Sequence, residues 1–143
     1  MPSIREQSVN DLFVAINGIT GPVFKRNEPL PTKIPTEGLV IVRDGEIGEP
    51  EIILSPTRYI YRHMVEIEVL VQEADQATRD TVLDALIQQI GNAIELAGTL
   101  NGVVDNIQPT APEFVNEIID GAPTVKAAVI GVILEYVTSN PLK

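Results

Sequence analysis

One histidine and two nearby glutamates are the residues of this chain whose types could support catalysis. His63, Glu66 and Glu68 lie in the stretch Arg58–Gln72, in which β-branched and polar side chains alternate. Strict alternation is typical of a strand with one buried face. Successive side chains of a strand point to opposite faces, so both glutamates would lie opposite His63 and could not polarise its imidazole. The pattern favours a structural or interfacial role for His63.

Glu66 and Glu68 would lie on the same face of this strand, about 7 Å apart. The two carboxyl groups of glycosidases lie at comparable separations. A sugar cleft is rich in aromatic side chains, however, and this chain has 4% aromatic residues and no tryptophan. We therefore favour a polar, solvent-facing strand surface that discourages aggregation. A small enzyme or ligand-binding domain that uses these glutamates is kept as an alternative.

A second group of carboxylates, Asp44, Glu46, Glu49 and Glu51, lies in a short acidic turn. Hard cations favour clustered carboxylates, but this spacing matches no calcium-loop template, and Pro50 stiffens the segment. We expect a solvated loop that binds no metal.

Other catalytic patterns are missing from the sequence. The chain has no cysteine, which excludes thiolate nucleophiles and thiolate metal sites, and its single histidine excludes a multi-histidine metal site within one chain. It also lacks a phosphate-binding glycine loop and a G-x-S-x-G elbow. We expect no catalytic residue, no cofactor and no metal, so that the chain is not an enzyme.

Composition indicates one folded domain over residues 1–143. Hydrophobic residues make up 44% of the chain, which is enough for a genuine core, and the net charge is −10. That charge disfavours a nucleic-acid surface, because phosphate binding needs a basic patch. No apolar run approaches the roughly 18 residues of a membrane span. The first residues lack the apolar core of a secretory signal, so we expect an intracellular origin.

The periodicities predict an α+β fold: an antiparallel or mixed sheet with two helices packed on one face, and extended loops or hairpin arms. The first helix would begin after Ser3 and the second after Asp75, the latter ending near Ala97. The strands would lie within residues 39–72, at 103–108 and at 124–138. The last strand would be central and covered on both faces, because both of its sets of alternate residues are largely apolar. The proline-rich segment 26–38 would run along a sheet edge, and segment 110–123 would be a strand or an arm.

Two regions are candidates for contact with a second subunit. The early part of the long strand, with the loop before it, would extend toward a neighbour, since tyrosine is enriched at interfaces; its two tyrosines could instead close the end of the core. The apolar residues of segment 110–123 could dock on a neighbouring subunit. The candidate interface residues are Tyr59, Tyr61, Arg62, Phe114, Val115 and Ile118.

Several stretches carry a family resemblance. They are Arg26–Pro31, Gly38–Gly45, Gly48–Glu51, Leu54–Pro56, Tyr61–His63, Val65–Val69 and Val71–Gln72. This succession resembles small proteins encoded in prophage tail-gene clusters. The order of elements over roughly residues 3 to 138 is similar to that of the tail terminator (tail completion) proteins of long-tailed phages and gene transfer agents.

That resemblance implies a hexameric ring on the last ring of the tail tube, which ends tube polymerisation and offers a surface to the head-side connector. Its partners would be copies of itself, the tail tube protein and a connector or neck protein, and no membrane. The protein would be made in the bacterial host cytoplasm and reside in the virion tail. A head–tail joining role is the alternative within the tail. DNA would pass through without specific binding, along carboxylates drawn from Asp44, Glu46, Glu49, Glu51, Glu66 and Glu68, because like charges repel.

Overall fold

The computed structural model describes residues 1–115 and 125–143. Two helices and seven strands occupy these ranges. In chain order they are α1 (Ile4–Ile16), β1 (Val23–Arg26), β2 (Leu39–Glu46), β3 (Glu51–Ile53), β4 (Arg58–Gln72), α2 (Gln76–Ala97), β5 (Asn106–Pro109), β6 (Glu113–Val115) and β7 (Val125–Thr138). The α+β prediction is confirmed. Ile118 and most of the segment left open as strand or arm lie outside the described residues.

The sheet is built around β4 and β7, which lie side by side at its centre. Its strand order is β1-β2-β4-β7-β5, with β3 beside the start of β4 and β6 beside the start of β7. The β4–β7 pairing is antiparallel and unbroken from Tyr59–Thr138 to Gln72–Val125. β1 pairs with β2 in parallel, whereas the other pairs are antiparallel. The sheet is therefore mixed.

Both helices cover one face of the sheet. Ser3 begins α1 by accepting a hydrogen bond from the Glu6 backbone N–H, and Asp75 begins α2 in the same way with Thr78. The apolar stripes of the helices pack against Val65, Ile67 and their neighbours on β4, and against alternate residues of β2 and β7. The side of β4 that carries His63 is therefore the core side, as its alternation predicts.

The opposite face is only partly covered. Ile34, from the proline-rich segment, packs there with Leu39, Ile41 and Leu70 in a second small core. This segment therefore crosses the face, and does not simply follow an edge as predicted. Farther along, β7 alternates between buried and half-exposed residues. The prediction that β7 is central is confirmed, but full cover on both faces is wrong, because both helices lie on one side.

The sheet edge beyond β7 is a strand interrupted at Thr110. β5 and β6 pair with β7 on either side of Gly131. At the break, the Thr110 backbone N–H donates to the Gly131 carbonyl at 2.7 Å, and its hydroxyl lies 3.0 Å from the Gly131 nitrogen. Within the described ranges, no helix is long and apolar enough to span a membrane.

Candidate subunit-contact surface

The hairpin formed by β3 and the start of β4 extends beyond the central strand pair. β4 pairs with β7 only from Tyr59 onward, whereas β3 continues the ladder to Ile53–Arg58. All residues from Glu51 to Arg58 are exposed. The segment therefore projects from the sheet with little contact to the rest of the chain.

Three consecutive apolar side chains lie at the tip of this hairpin. Ile52, Ile53 and Leu54 are 55%, 48% and 73% exposed. Because strand residues alternate, the two isoleucines lie on opposite sides of the ribbon, so neither side of the ribbon buries them. Exposed apolar groups that adjoin one another mark contact sites more often than scattered ones do. The sequence signal for this tip is the Ile-Ile-Leu run before Ser55-Pro56, whose pattern predicts a strand and does not by itself indicate a contact surface.

Tyr59, Tyr61 and Arg62 lie in three different environments. Tyr59 is half-buried at the rim of the main core. Tyr61 is 7% exposed, and its ring lies 5.8 Å from that of Tyr136. The burial of Tyr61 fits the alternative in which this ring closes the end of its own core, and it leaves little surface for a neighbour. Arg62 is exposed on the opposite face, 3.7 Å from the Glu135 carboxylate.

Phe114 and Val115 lie on the edge strand β6 and are 57% and 37% exposed. The Lys126 ammonium lies 4.9 Å from the centre of the Phe114 ring and also binds Asp80 at 2.8 Å. A cation over an aromatic face is attracted to the ring electrons. This contact orients Phe114 while its outer surface remains open.

The candidate acidic residues do not form one group. Glu46, Glu49 and Glu51 are exposed around the base of the hairpin, and Glu66 is exposed on the face without helices. Glu68, on that same face, accepts a hydrogen bond from the Arg43 Nε at 2.8 Å. Glu66 and Glu68 therefore differ, because one carboxylate is open and the other is held in an ion pair.

Asp44 is tied into the fold. Its carboxylate accepts hydrogen bonds from the Arg26 guanidinium, which also binds Glu6 of α1 at 2.7 Å. Burial alone would raise the pKa of Asp44, but hydrogen bonds from Asn27 and Arg26 outweigh it and hold that pKa below its usual value. Asp44 is thus a structural carboxylate that links α1, β1 and β2, and it is no longer a candidate for a free acidic surface.

His63 is 1% exposed and lies beside Asp44, inside the sheet. One ring nitrogen contacts the Asp44 carbonyl oxygen, and the other lies 3.1 Å from the Tyr136 hydroxyl. Its neighbours are therefore hydrogen-bonding partners, and both glutamates of β4 face away.

A shallow groove runs between the helices on their solvent side. Its walls are the end of α1 and the last turns of α2, with Ala15, Ile19, Ala93 and Leu96 among the apolar lining residues. Leu96 is 89% exposed. The groove and the hairpin tip are two separate apolar surfaces on one chain.

Over residues 1–115 and 125–143, no group of three or more histidines and carboxylates is placed to hold a metal ion. Comparison with models of protein families and with curated proteins finds no match to this chain.

Proposed function

We propose that this chain is a structural subunit of a homo-oligomeric ring at the head-proximal end of the tail of a phage or phage-like particle. In this role it ends polymerisation of the tail tube and provides the attachment surface for the head or neck. The observation that carries the proposal is the projecting hairpin, whose tip exposes Ile52, Ile53 and Leu54. Covering this apolar tip with a neighbouring subunit removes it from water and lowers the free energy of the assembly.

The arrangement of apolar surfaces supports a ring. A hairpin tip and a helical groove are different surfaces, so a contact between them is heterologous. A repeated heterologous contact forms a ring when its rotation closes, and an open filament when it does not. The exposed β6 edge gives each subunit a further surface for a neighbour. The resemblance to tail terminator proteins supplies the location in the particle and the hexameric number.

The charge distribution is compatible with a channel for DNA. A ring of chains with net charge −10 each is strongly acidic. In this proposal Glu46, Glu49, Glu51 and Glu66 are the open carboxylates available to line the channel, whereas Asp44 and Glu68 are held in ion pairs. Repulsion between these carboxylates and phosphates would let DNA pass without binding.

Native mass spectrometry of the purified chain, alone and with tail-tube protein from the same particle, tests the assembly. We expect a discrete ring, and we expect Leu54→Asp to weaken subunit association at least tenfold, because truncating an interface hot spot costs about 2 kcal/mol or more. Thr57→Asp is the matched control, since Thr57 is exposed in the same hairpin and is polar. If both variants associate as strongly as the wild-type protein does, the hairpin is not the contact.

The location is tested by electron microscopy of tubes grown from the tail-tube protein. A terminator caps tube ends and shortens tubes in proportion to the amount added. A head–tail joining protein binds the connector and leaves tube length unchanged. A chain that remains monomeric and binds neither tube ends nor connector would refute both tail roles.

A further inference from the structure

His63 is the only histidine of the chain, and it is buried in the polar cluster beside the register shift between β2 and β4. Its Nε2 contacts the carbonyl oxygen of Asp44, and its Nδ1 lies 3.1 Å from the Tyr136 hydroxyl oxygen. The rings of His63 and Tyr136 meet edge to face, with centres 6.0 Å apart. Both ring nitrogens therefore have partners within the protein.

The partners fix the proton on the neutral ring. A backbone carbonyl can only accept, so Nε2 must carry the hydrogen and donate to Asp44. Nδ1 then accepts a hydrogen bond from the Tyr136 hydroxyl. A second proton on Nδ1 would point at the hydroxyl oxygen and force the hydroxyl hydrogen to rotate away. That hydrogen would then need another acceptor in a buried site, which is costly.

Asp44 is the residue through which His63 acts on the chain. Its backbone N–H donates to the Asn27 side chain at 3.0 Å, its carboxylate accepts from Arg26, and its carbonyl accepts from His63. The β2–β4 register shifts between Arg43 and Glu46. Gly45 sits in this bulge with φ +65°, and a Cβ there would overlap the Met64 carbonyl. After this anchored residue, β2 ends at Glu46, and the hairpin strand β3 begins at Glu51.

We propose that neutral His63 is a latch that holds the Asp44–Gly45 bulge on the sheet, and that protonation of its Nδ1 releases this bulge and the segment up to Arg58 while the β4–β7 core stays folded. An imidazolium must be solvated, so the ring has to gain access to water. Tyr136 lies in a central strand, whereas Gly45 is exposed on the other side of the ring. Lifting the bulge would therefore open the ring to solvent.

The groups around His63 act on its pKa in opposing directions, and the net shift is downward. Burial is the largest influence and lowers the pKa of His63; the Asp44 carbonyl and carboxylate oppose this, and Arg5 adds to it. The surrounding groups are Arg5 and Glu6 on α1, Arg26 on β1, Asp44 on β2, Tyr61 on β4 and Tyr136 on β7.

The pH window follows from these directions. The folded pKa of His63 lies below its ordinary value of 6.5, so the unfolded or opened ring binds a proton first as pH falls. The latch is fully effective above pH 6.5 and weakens from there down to the folded pKa. The pKa values of Glu6 and Asp44 are held below 4.5 and 3.8, so these carboxylates remain charged near pH 6.

NMR on the whole chain tests the latch, because a single histidine gives one imidazole signal. With ¹⁵N-labelled histidine we expect the Nε2–H tautomer at neutral pH. Hydrogen exchange should show that protection of the β3 amides and the Asp44 amide falls about tenfold per pH unit below about 6.5, after correction for intrinsic exchange. Amides in the middle of the β4–β7 pair should keep their protection.

His63→Gln is the control, because glutamine can still donate to the Asp44 carbonyl but does not titrate. In this variant the pH dependence of β3 protection should disappear in that window. Three results would overturn the proposal: an Nδ1–H tautomer, β3 protection that is constant while His63 titrates, or equal loss of protection in β3 and the β4–β7 core. All three are measured on the wild-type chain and do not depend on the variant folding.

Discussion

At the scale of single residues, neighbours in the sequence lie in opposite environments. Ile67 is fully buried beneath the helices, while Glu66 is exposed on the other face of β4. The parity of the alternation predicts this difference, because side-chain direction in a strand is a local property. Whether a particular end of the strand is covered is not local. The burial of Tyr61 depends on Tyr136, which arrives from β7, and so the sequence pattern did not decide it.

Substitutions at Ile67 and Glu66 measure this contrast. We expect Ile67→Ala to lower the free energy of unfolding by about 2–5 kcal/mol, since it leaves a cavity in a packed core. Ile67→Glu should prevent folding, because a buried carboxylate has no partner there. Glu66→Ala should change stability by about 0.5 kcal/mol or less. Urea denaturation gives these values, and a stable Ile67→Glu protein would mean that the two faces are assigned the wrong way round.

Two glycines near the hairpin provide a second matched pair. Gly45 and Gly48 both have positive φ, at +65° and +77°, so alanine is strained at either position by about 1 kcal/mol or more. Only Gly45 also lacks space, because its Cβ would overlap the Met64 carbonyl, whereas a Cβ at Gly48 would meet no atom of residues 1–115 and 125–143 within 4 Å. We expect Gly45→Ala to cost a further 1–3 kcal/mol, roughly the cost of overpacking. Equal melting temperatures for the two variants would contradict the bulge geometry.

At the scale of elements, the chain's own periodicity was enough to place its strongest segments. β4 spans Arg58–Gln72 as predicted, and α2 ends at Ala97. The pattern could not specify pairing partners, such as the parallel β1–β2 pair, because these depend on how distant segments meet. The strand β5 is present, but its start was predicted too early. Its predicted first residues, including the buried Val104, belong to the turn after α2.

Arg26 joins α1, β1 and β2, and its loss should be visible in the acid stability of the protein. The hydrogen bond from Arg26 lowers the pKa of Glu6, and hydrogen bonds lower that of Asp44 against the effect of burial. Carboxylates with lowered pKa stabilise the fold above their ordinary pKa, and this contribution is lost as pH falls through the folded pKa. The pH range in which this contribution is lost lies below the range in which His63 titrates.

We expect Arg26→Gln to lower the free energy of unfolding by about 1 kcal/mol near neutral pH, a modest value because Glu6 is half-exposed. The difference from the wild type should shrink as pH falls below about 4. Lys25→Gln is the control, since its contact with Glu28 is long and exposed. A difference that persists unchanged into strong acid would rule out ionisation as its source.

At the scale of the whole molecule, the proposed ring must hold together against its own charge. Each chain carries a net charge of −10, and the proposed contacts are apolar. Salt screens repulsion between like charges but leaves apolar burial in place.

The sequence predicted the position of the candidate contact surface only in part. It indicated that the region before Tyr59 extends toward a neighbour, but it did not decide that Tyr61 is buried in its own core against Tyr136.

Ring formation should therefore increase with ionic strength. Raising salt from about 0.01 M to about 1 M shortens the Debye length from about 30 Å to about 3 Å. Light scattering over this range should show a growing ring fraction at fixed protein concentration. A ring that dissociates as salt rises would instead be held by ion pairs between subunits.

The central pairing of β4 with β7 has a consequence for how the chain is made. β4 leaves the ribosome well before β7, with α2, β5 and β6 between them, so one side of β4 stays unpaired during that interval. Long-range strand pairing is slow, and an open apolar edge attracts other chains. The nascent protein is thus most prone to aggregation while its longest strand waits for its partner, and chaperones that bind extended apolar segments would act at this stage.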